Sequence, residues 1–444
     1  MGVNGPSGWM AAGRRTSIQS GLLPDVKQKS IDARITLRVA TTLWFNIVMT
    51  DSVRDSVLVA ADAAELLAIL RDGIPRTRAQ LAELTGMARS TIATRIDTLT
   101  AAGLVAPAGD DVSSGGRPPA RIRFNPDSRV IVAIDLGATH AVVALADLAG
   151  NITASESRRL RIADGPEPIL DWALETASEL YIASGRQPEE LIGVGVGVPG
   201  PVEHSTGLPV NPPIMPGWDR FNIPGYIRRV FDVPVLVDND VNLLALGEQA
   251  LMWPDETDLL FIKVATGVGA GIISGGRLQR GALGSAGDLG HVRVPFGTDT
   301  PSHGEQDADL ESLVSGPAIA RALTEAGFPA ETSDDVVALA RTGNPRVHGA
   351  IRQAGRDLGA VVATCVNLLN PSTIVVGGSL SRVGEQLLAG MREVVYQRST
   401  PLATQHLTIT QSRSGETGGV IGAAIMVVQR ALDPESGTPR SLFR

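Results

Sequence analysis

Two stretches of this chain share a plan that few folds accommodate. Val130–Asn151, "VIVAIDLGATHAVVALADLAGN", is two apolar runs joined by a glycine-containing turn. About 130 residues on, Asp258–Gly276, "DLLFIKVATGVGAGIISGG", repeats the plan. Apolar strands this continuous are buried on both faces and need helices packed against them. "LIGVGVGVPGPV" (Leu191–Val202) reads as a buried strand followed by a loop, and "VPVLVDNDVNLLALGEQAL" (Val233–Leu251) as a strand running into a helix. "PSTIVVGGSLS" (Pro371–Ser381) reads as a late strand ending in a glycine pair. The pattern predicts an α/β body with mixed sheets, built as two similar lobes facing a cleft.

The body does not begin the chain. Ala61–Val105, "ADAAELLAILRDGIPRTRAQLAELTGMARSTIATRIDTLTAAGLV", has the pattern of three short helices. The first opens at Asp62 with Glu65 three residues on, and the second at Thr77 with Gln80, both capping-box spacings. Ile92, Ile96 and Leu99 give the third a buried stripe, and Gly103 is placed to stop it. Its other face is expected to show Arg89, Ser90, Thr91, Thr94 and Arg95. The following "LVAPAGDDVSSGGRPPARIRF" reads as a β-hairpin wing with Arg117 at its tip. Helix–helix–turn–helix–wing is a DNA-docking arrangement, in which the third helix meets base edges and phosphates and the wing reaches backbone or minor groove. A three-helix protein–protein module would give the same pattern, and Ala88 is a weak helix cap.

Charge is divided in the same way. The chain is −8 overall, yet residues 62–123 carry eight Arg against seven Asp or Glu, so the acidity lies in the body. Cys365 is the only cysteine, which rules out an intramolecular disulfide and a Cys-rich metal site and fits a cytoplasmic protein. No apolar run reaches the ~20 residues of a membrane span. Residues 1–57 are expected to be a disordered basic arm, or to reflect a start assigned too early, with Met49 the alternative. Further boundaries are expected at 58–126 for the winged module, 127–255 and 256–432 for the two lobes, the first completed by the C-terminal helix, and 433–444 for a tail.

Each turn of the body has a chemical reading. Gly137 lets backbone approach a phosphate, Asp135 is placed to orient a hydrated Mg²⁺, and Thr139 to donate a hydrogen bond. Thr266, Gly267 and Gly269 line a second turn with unhindered amides, and Gly377 and Gly378 offer a flat backbone to an adenine. Taken singly, each also reads as an ordinary tight turn. Asp240 likewise reads as a carboxylate favoured by a helix N-terminus.

Taken in order, the phosphate hairpin, "VPGPV", "DNDVN", the second hairpin, "AGDLGH", "LESLVSG" and "VVGGSLS" resemble the ROK family, named for repressor, open reading frame and kinase. With the "GGRP" wing, the resemblance covers nearly everything after residue 60 and is closest to the transcriptional-regulator branch. It implies a winged helix-turn-helix followed by a two-lobed actin/hexokinase-like (ribonuclease H-like) sugar-kinase body. It implies sugar contacts at Asn239, Asp240, Asp288, His291 and Glu311, with Asp240 as the base if the chain is a kinase, and then ATP and Mg²⁺ as cofactors. Much of the family binds Zn²⁺ through a "CxCGxxGC" cluster between "GH" and "LE". The matching positions here are Ser302, Gly304 and Asp309, with His291 and His303 nearby; none is a thiolate, and no zinc is expected. Asp288 also stands where the family usually has Glu, and His140 follows Thr139 where kinases tend to carry Lys or Asn. These departures rank a sugar-responsive regulator, a repressor of carbohydrate metabolism, above an ATP-dependent hexose kinase with a DNA module. The implied partners are operator DNA and a sugar or sugar phosphate, with a homodimer or homotetramer and no membrane.

Overall fold

A computed structural model describes residues 63, 65–110, 120–294 and 309–432, all within one compact unit. The expected N-terminal arm, the Asp62 cap, Arg117, the segment holding Ser302, His303 and Gly304, and the tail lie outside the described residues.

The module opens with helix α1 (65–70), followed by strand β1 (Arg76–Thr77), helix α2 (Arg78–Thr85) and helix α3 (Arg89–Ala101). Thr77 caps α2 as its spacing predicts: its hydroxyl accepts from the Gln80 amide at 3.2 Å, and Gln80 Oε1 accepts from the Thr77 amide at 2.9 Å. Strands β2 (Val105–Asp110) and β3 (Ala120–Phe124) form the wing, with β1 pairing on β3 in a sheet ordered β1-β3-β2. Leu66, Leu67, Leu70, Leu81, Ile92, Ile96 and Leu99 fill the module's core. A single 3₁₀ turn, Pro126–Ser128, joins the wing to the body.

The body contains two five-stranded sheets. The first uses β4 (Val130–Leu136), β5 (His140–Ala146), β6 (Ile152–Arg159), β7 (Leu191–Val198) and β10 (Val235–Asn239), ordered β10-β7-β4-β5-β6. A small hairpin, β8 (Val202–Glu203) with β9 (Leu208–Pro209), precedes β10. The second sheet uses β11 (Leu259–Val264), β12 (Val268–Ser274), β13 (Arg277–Gln279), β14 (Thr373–Gly377) and β15 (Thr408–Gln411), ordered β13-β12-β11-β14-β15. Each sheet begins with an antiparallel meander of three strands and adds two parallel strands on the other side of the first. Position for position, the orders are identical, so the repeated sequence plan is a repeated topology.

Side-chain alternation places the helices. In β4, Val130, Val132 and Ile134 join a core with Ile169, Leu170 and Ala173 of helix α4 (Pro166–Ala183) and with buried Trp218. Ile131 and Ala133, on the other face, pack with Leu243 and Leu246 of α6 (Asp240–Met252; α5 is the short Ile223–Ile227) and with Val420, Ala423 and Val427 of the final helix. The remaining helices of the second lobe are α7 (Leu310–Val314), α8 (Gly316–Glu325), α9 (Ser333–Ala340), α10 (Pro345–Leu369), α11 (Glu385–Arg398) and α12 (Pro401–Thr404). The final helix, α13 (Gly418–Leu432), returns to the first sheet. The α6 helix serves both sheets: Val241 and Ala245 pack with Leu259, Phe261 and Val375 of the second. The N-terminus of α6 is therefore where the two lobes meet. Among the described residues no helix is long and apolar enough to cross a membrane.

Candidate functional site

Strand β10 runs into α6 without a loop, because Asn239 both ends the strand and caps the helix. Its Oδ1 accepts from the Val241 amide at 2.9 Å, and its Nδ2 donates to the Gly200 carbonyl at 3.0 Å. Two buried carboxylates flank it. Asp238 accepts from the Asn239 amide and Asn242 Nδ2, each at 2.8 Å, and from Arg280 Nε at 2.6 Å. Asp240, in the first turn where the helix end favours an anion, is ion-paired with Lys263 of β11. Lys263 and Arg280 both come from the second lobe, so the "DND" at the end of β10 is answered by two of its cations.

Asp135, next to last in β4, is in register with Gly197 of β7. It is buried, and its Oδ1 accepts no hydrogen bond among the described residues. A β-carbon on Gly197 would lie 3.0 Å from Oδ1, and one on Gly419 of α13 2.1 Å from Oδ2. Only glycine on both sides admits the carboxyl. Burial, and secondarily the charge of Asp240, push its pKa up to about 7, against the opposing pull of Lys263.

The first hairpin is closed by the Gly137 amide donating to the His140 carbonyl at 2.8 Å. The His140 ring folds back over the turn, and a β-carbon on Gly137 would meet its Cε1 at 2.6 Å. Burial first, and then Lys263, hold this imidazole below its usual pKa. Thr139 is exposed beside it, as is Thr266 in the second hairpin.

The glycines expected to line a nucleotide have nearer neighbours. A β-carbon on Gly267 would sit 2.7 Å from Glu311 Oε2, and one on Gly269 3.2 Å from Val241 Cγ2. On Gly377 it would meet Phe261 Cζ at 2.4 Å, and Gly378 has φ 86° with the Val264 carbonyl 2.5 Å from such an atom. At Gly377 and Gly378 packing and backbone geometry by themselves call for glycine.

Glu311 reaches the second hairpin, its Oε2 accepting from the Val268 amide at 2.9 Å. His291 is largely exposed, with Nδ1 3.6 Å from Asp309 Oδ2. Asp309 also caps α7, accepting from the Ser312 amide at 2.9 Å. Asp288 is exposed on the loop before His291. The residues expected around a sugar thus fall apart: Asn239 and Asp240 at the end of β10, Glu311 reaching the second hairpin, His291 near Asp309, and Asp288 exposed on the loop before it.

In the module, Arg89, Ser90 and Thr94 are exposed on α3 and Thr91 is half-buried. Arg95 departs from expectation. It is buried, with Nη1 2.6 Å from Met87 Sδ and 3.6 Å from Glu65 Oε2 of α1, so it braces the helices and does not share the exposed face. Ala88 makes no side-chain cap bond.

Sequence reasoning passed over Lys263, Arg280 and Glu248. Glu248 is fully buried in α6 and accepts from Ser412 Oγ at 2.7 Å and the Ser414 amide at 3.1 Å. A lone Lys in "LLFIKV" was the available signal, because a buried ammonium needs a partner.

Known proteins are similar to this chain in sequence and in fold. A xylose repressor of Caldicellulosiruptor bescii is 29% identical over 372 residues, 80% of this chain and 92% of the repressor. A glucokinase of Halalkalibacterium halodurans is 28% identical over 327 residues, 70% of this chain and 98% of the glucokinase. The crystal structure of a ROK family transcriptional regulator, a homolog of the E. coli MLC protein, superposes with a TM-score of 0.74 at 24% identity, covering 87% of this chain and 99% of that one. Residues 131–430, the duplicated body with the α6 cleft at its centre, match the ROK family, and the chain belongs to it.

Proposed function

We propose that this chain is a sugar-responsive transcriptional regulator that binds operator DNA through its N-terminal module. The observation that carries the reading is the continuity of a winged helix-turn-helix with a kinase-like body through the 3₁₀ turn Pro126–Ser128. The extent of similarity supports it. The 372-residue alignment with the repressor is longer than the 131–430 family match, so it includes residues outside the body, whereas a nearly whole glucokinase aligns with 70% of the chain.

In this reading Arg89, Ser90, Thr91 and Thr94 of α3, with Arg117 of the wing, face DNA. Arg95 positions α3 from behind. One such module buries too little surface for tight specific binding, so the regulator acts as a dimer or larger assembly on a palindromic site. Asn239, Asp240, Asp288, His291 and Glu311 hold the hydroxyls of a sugar, each of which needs a donor and an acceptor. Because α6 packs on both sheets, a ligand at its N-terminus biases how the lobes close. The coupling to DNA need be only ~1–3 kcal/mol. Asp240→Asn and His291→Ala are each expected to abolish the sugar response while leaving sugar-free DNA binding intact. An equal fall in DNA binding would make these residues structural.

A second reading, an ATP-dependent hexose kinase with a DNA module, draws on the retained Asp135 and Asp240 and on the glucokinase relative. A coupled ADP-release assay over a hexose panel decides it: turnover lost in Asp240→Asn supports the kinase, and no turnover supports the regulator.

A further inference from the structure

We propose that Lys263, paired with Asp240 in the neighbourhood of Asp135, is a built-in cation that takes the place of a divalent metal ion at these carboxylates, so that the site receives its ligand without a metal–nucleotide complex. The inference deepens the regulator reading of the same cleft and rests on it for its purpose, though not for its test.

The kinase resemblance implies Mg²⁺ here, and the residues present do not fit it. Lys263 projects from β11 on the side of Leu259 and Phe261, which pack with α6, and this direction brings its ammonium to Asp240 at the first turn. The side chains of Lys263 and Asp240 are only 19% and 4% exposed, so the pair is withdrawn from solvent. A buried ion pair removes both charges from other use, and a second cation on the same carboxylate would meet the ammonium at close range. Asp135 stands in the field of both partners, wedged between Gly197 and Gly419, with one oxygen unpartnered. One ammonium therefore already stands beside the carboxylate that a divalent ion would need. Two carboxylates alone would attract a divalent ion; with Lys263 present that attraction is largely answered. The first hairpin agrees independently. The His140 ring lies over Gly137, filling the space through which a phosphate would approach the turn. Lys263 is thus a specificity-determining residue: it favours an uncharged polyol, whose hydroxyls share Asp240 with the ammonium, over a metal-bound nucleotide.

The test uses the full chain with Mn²⁺ as the probe, read by electron paramagnetic resonance without sugar or nucleotide. The wild type and Lys263→Arg are expected to show no cleft site. Lys263→Met is expected to gain one Mn²⁺ per chain, at least about tenfold tighter than any wild-type binding, and Lys263→Met with Asp240→Asn to lose it. Near-UV circular dichroism identifies a Lys263→Met chain that has not folded, in which case the wild type alone decides. A wild-type Mn²⁺ site removed by Asp240→Asn overturns the proposal, as does a folded Lys263→Met that gains none. A folded Lys263→Met that gains the site beside a wild type without one upholds it; where Lys263→Met does not fold, a wild type without such a site does. Operator titration of the same samples reports separately on the regulator reading, so failure of one is distinguishable from failure of the other.

Discussion

Asp135 lies in a strand, Val130–Leu136, in which every residue is buried. Its pKa rises from 3.8 to about 7, so the folded chain binds this proton more tightly than the unfolded chain does. The sign follows from linkage: stability is greatest below the unfolded value and falls as pH rises towards 7. At ~1.4 kcal/mol per tenfold, the loss is at most roughly 4 kcal/mol. Asp135→Asn is therefore expected to be stabilised relative to wild type in urea unfolding, by more at pH 8 than at pH 5; a difference that does not change with pH would contradict this. The placing of charged residues was partly legible in the sequence. Asp135 and Asp240 stand at strand ends, where a charge among apolar neighbours is conspicuous. Lys263 was visible by the same criterion, a lone charge in an apolar strand just before the glycine-rich turn. Arg95 was placed on the wrong face although helical period locates it: it falls between Ile92 and Leu99, beside Ile96, on the buried stripe.

Elements explain why the chain is so rich in glycine. The backbones of α6 and α13 approach closely enough that a β-carbon on Gly422 would lie 1.8 Å from the Leu243 carbonyl oxygen, and one on Gly247 2.0 Å from that of Gly418. On Gly271 of β12, it would meet Ala245 Cβ of α6 at 2.5 Å. Because the neighbours across the α6–α13 contact are backbone atoms, they cannot rotate away. Gly422→Ala is expected to destabilise by about 2 kcal/mol or more, read as a lowered urea midpoint; a near-neutral effect would show that the two helices separate easily. Hairpins, the α2 capping box and the strand-to-helix passage at Asn239 were legible because each depends on local spacing. The purpose of the glycines was not, since a glycine that admits a phosphate and one that admits Phe261 read alike until the facing element is known.

For the whole molecule, the repeated strand–turn–strand plan was enough to predict two similar lobes, and the two sheets share one order around the common helix α6. What the sequence could not convey is that this helix joins them, because its faces are divided between cores made by strands distant in sequence. The central claim is that a ligand at the N-terminus of α6 controls DNA binding by the module. It is tested most directly by titrating the full chain, at fixed salt, against DNA upstream of its own gene and of adjacent sugar-transport genes. Each titration is repeated with a panel of hexoses, pentoses, amino sugars and their phosphates. Salt is fixed because phosphate contacts alone shift affinity by orders of magnitude. The account predicts specific binding that one sugar changes by roughly 5–150-fold, and that Asp240→Asn makes insensitive to that sugar. Specific binding that no ligand alters, or no specific binding at all, would contradict it.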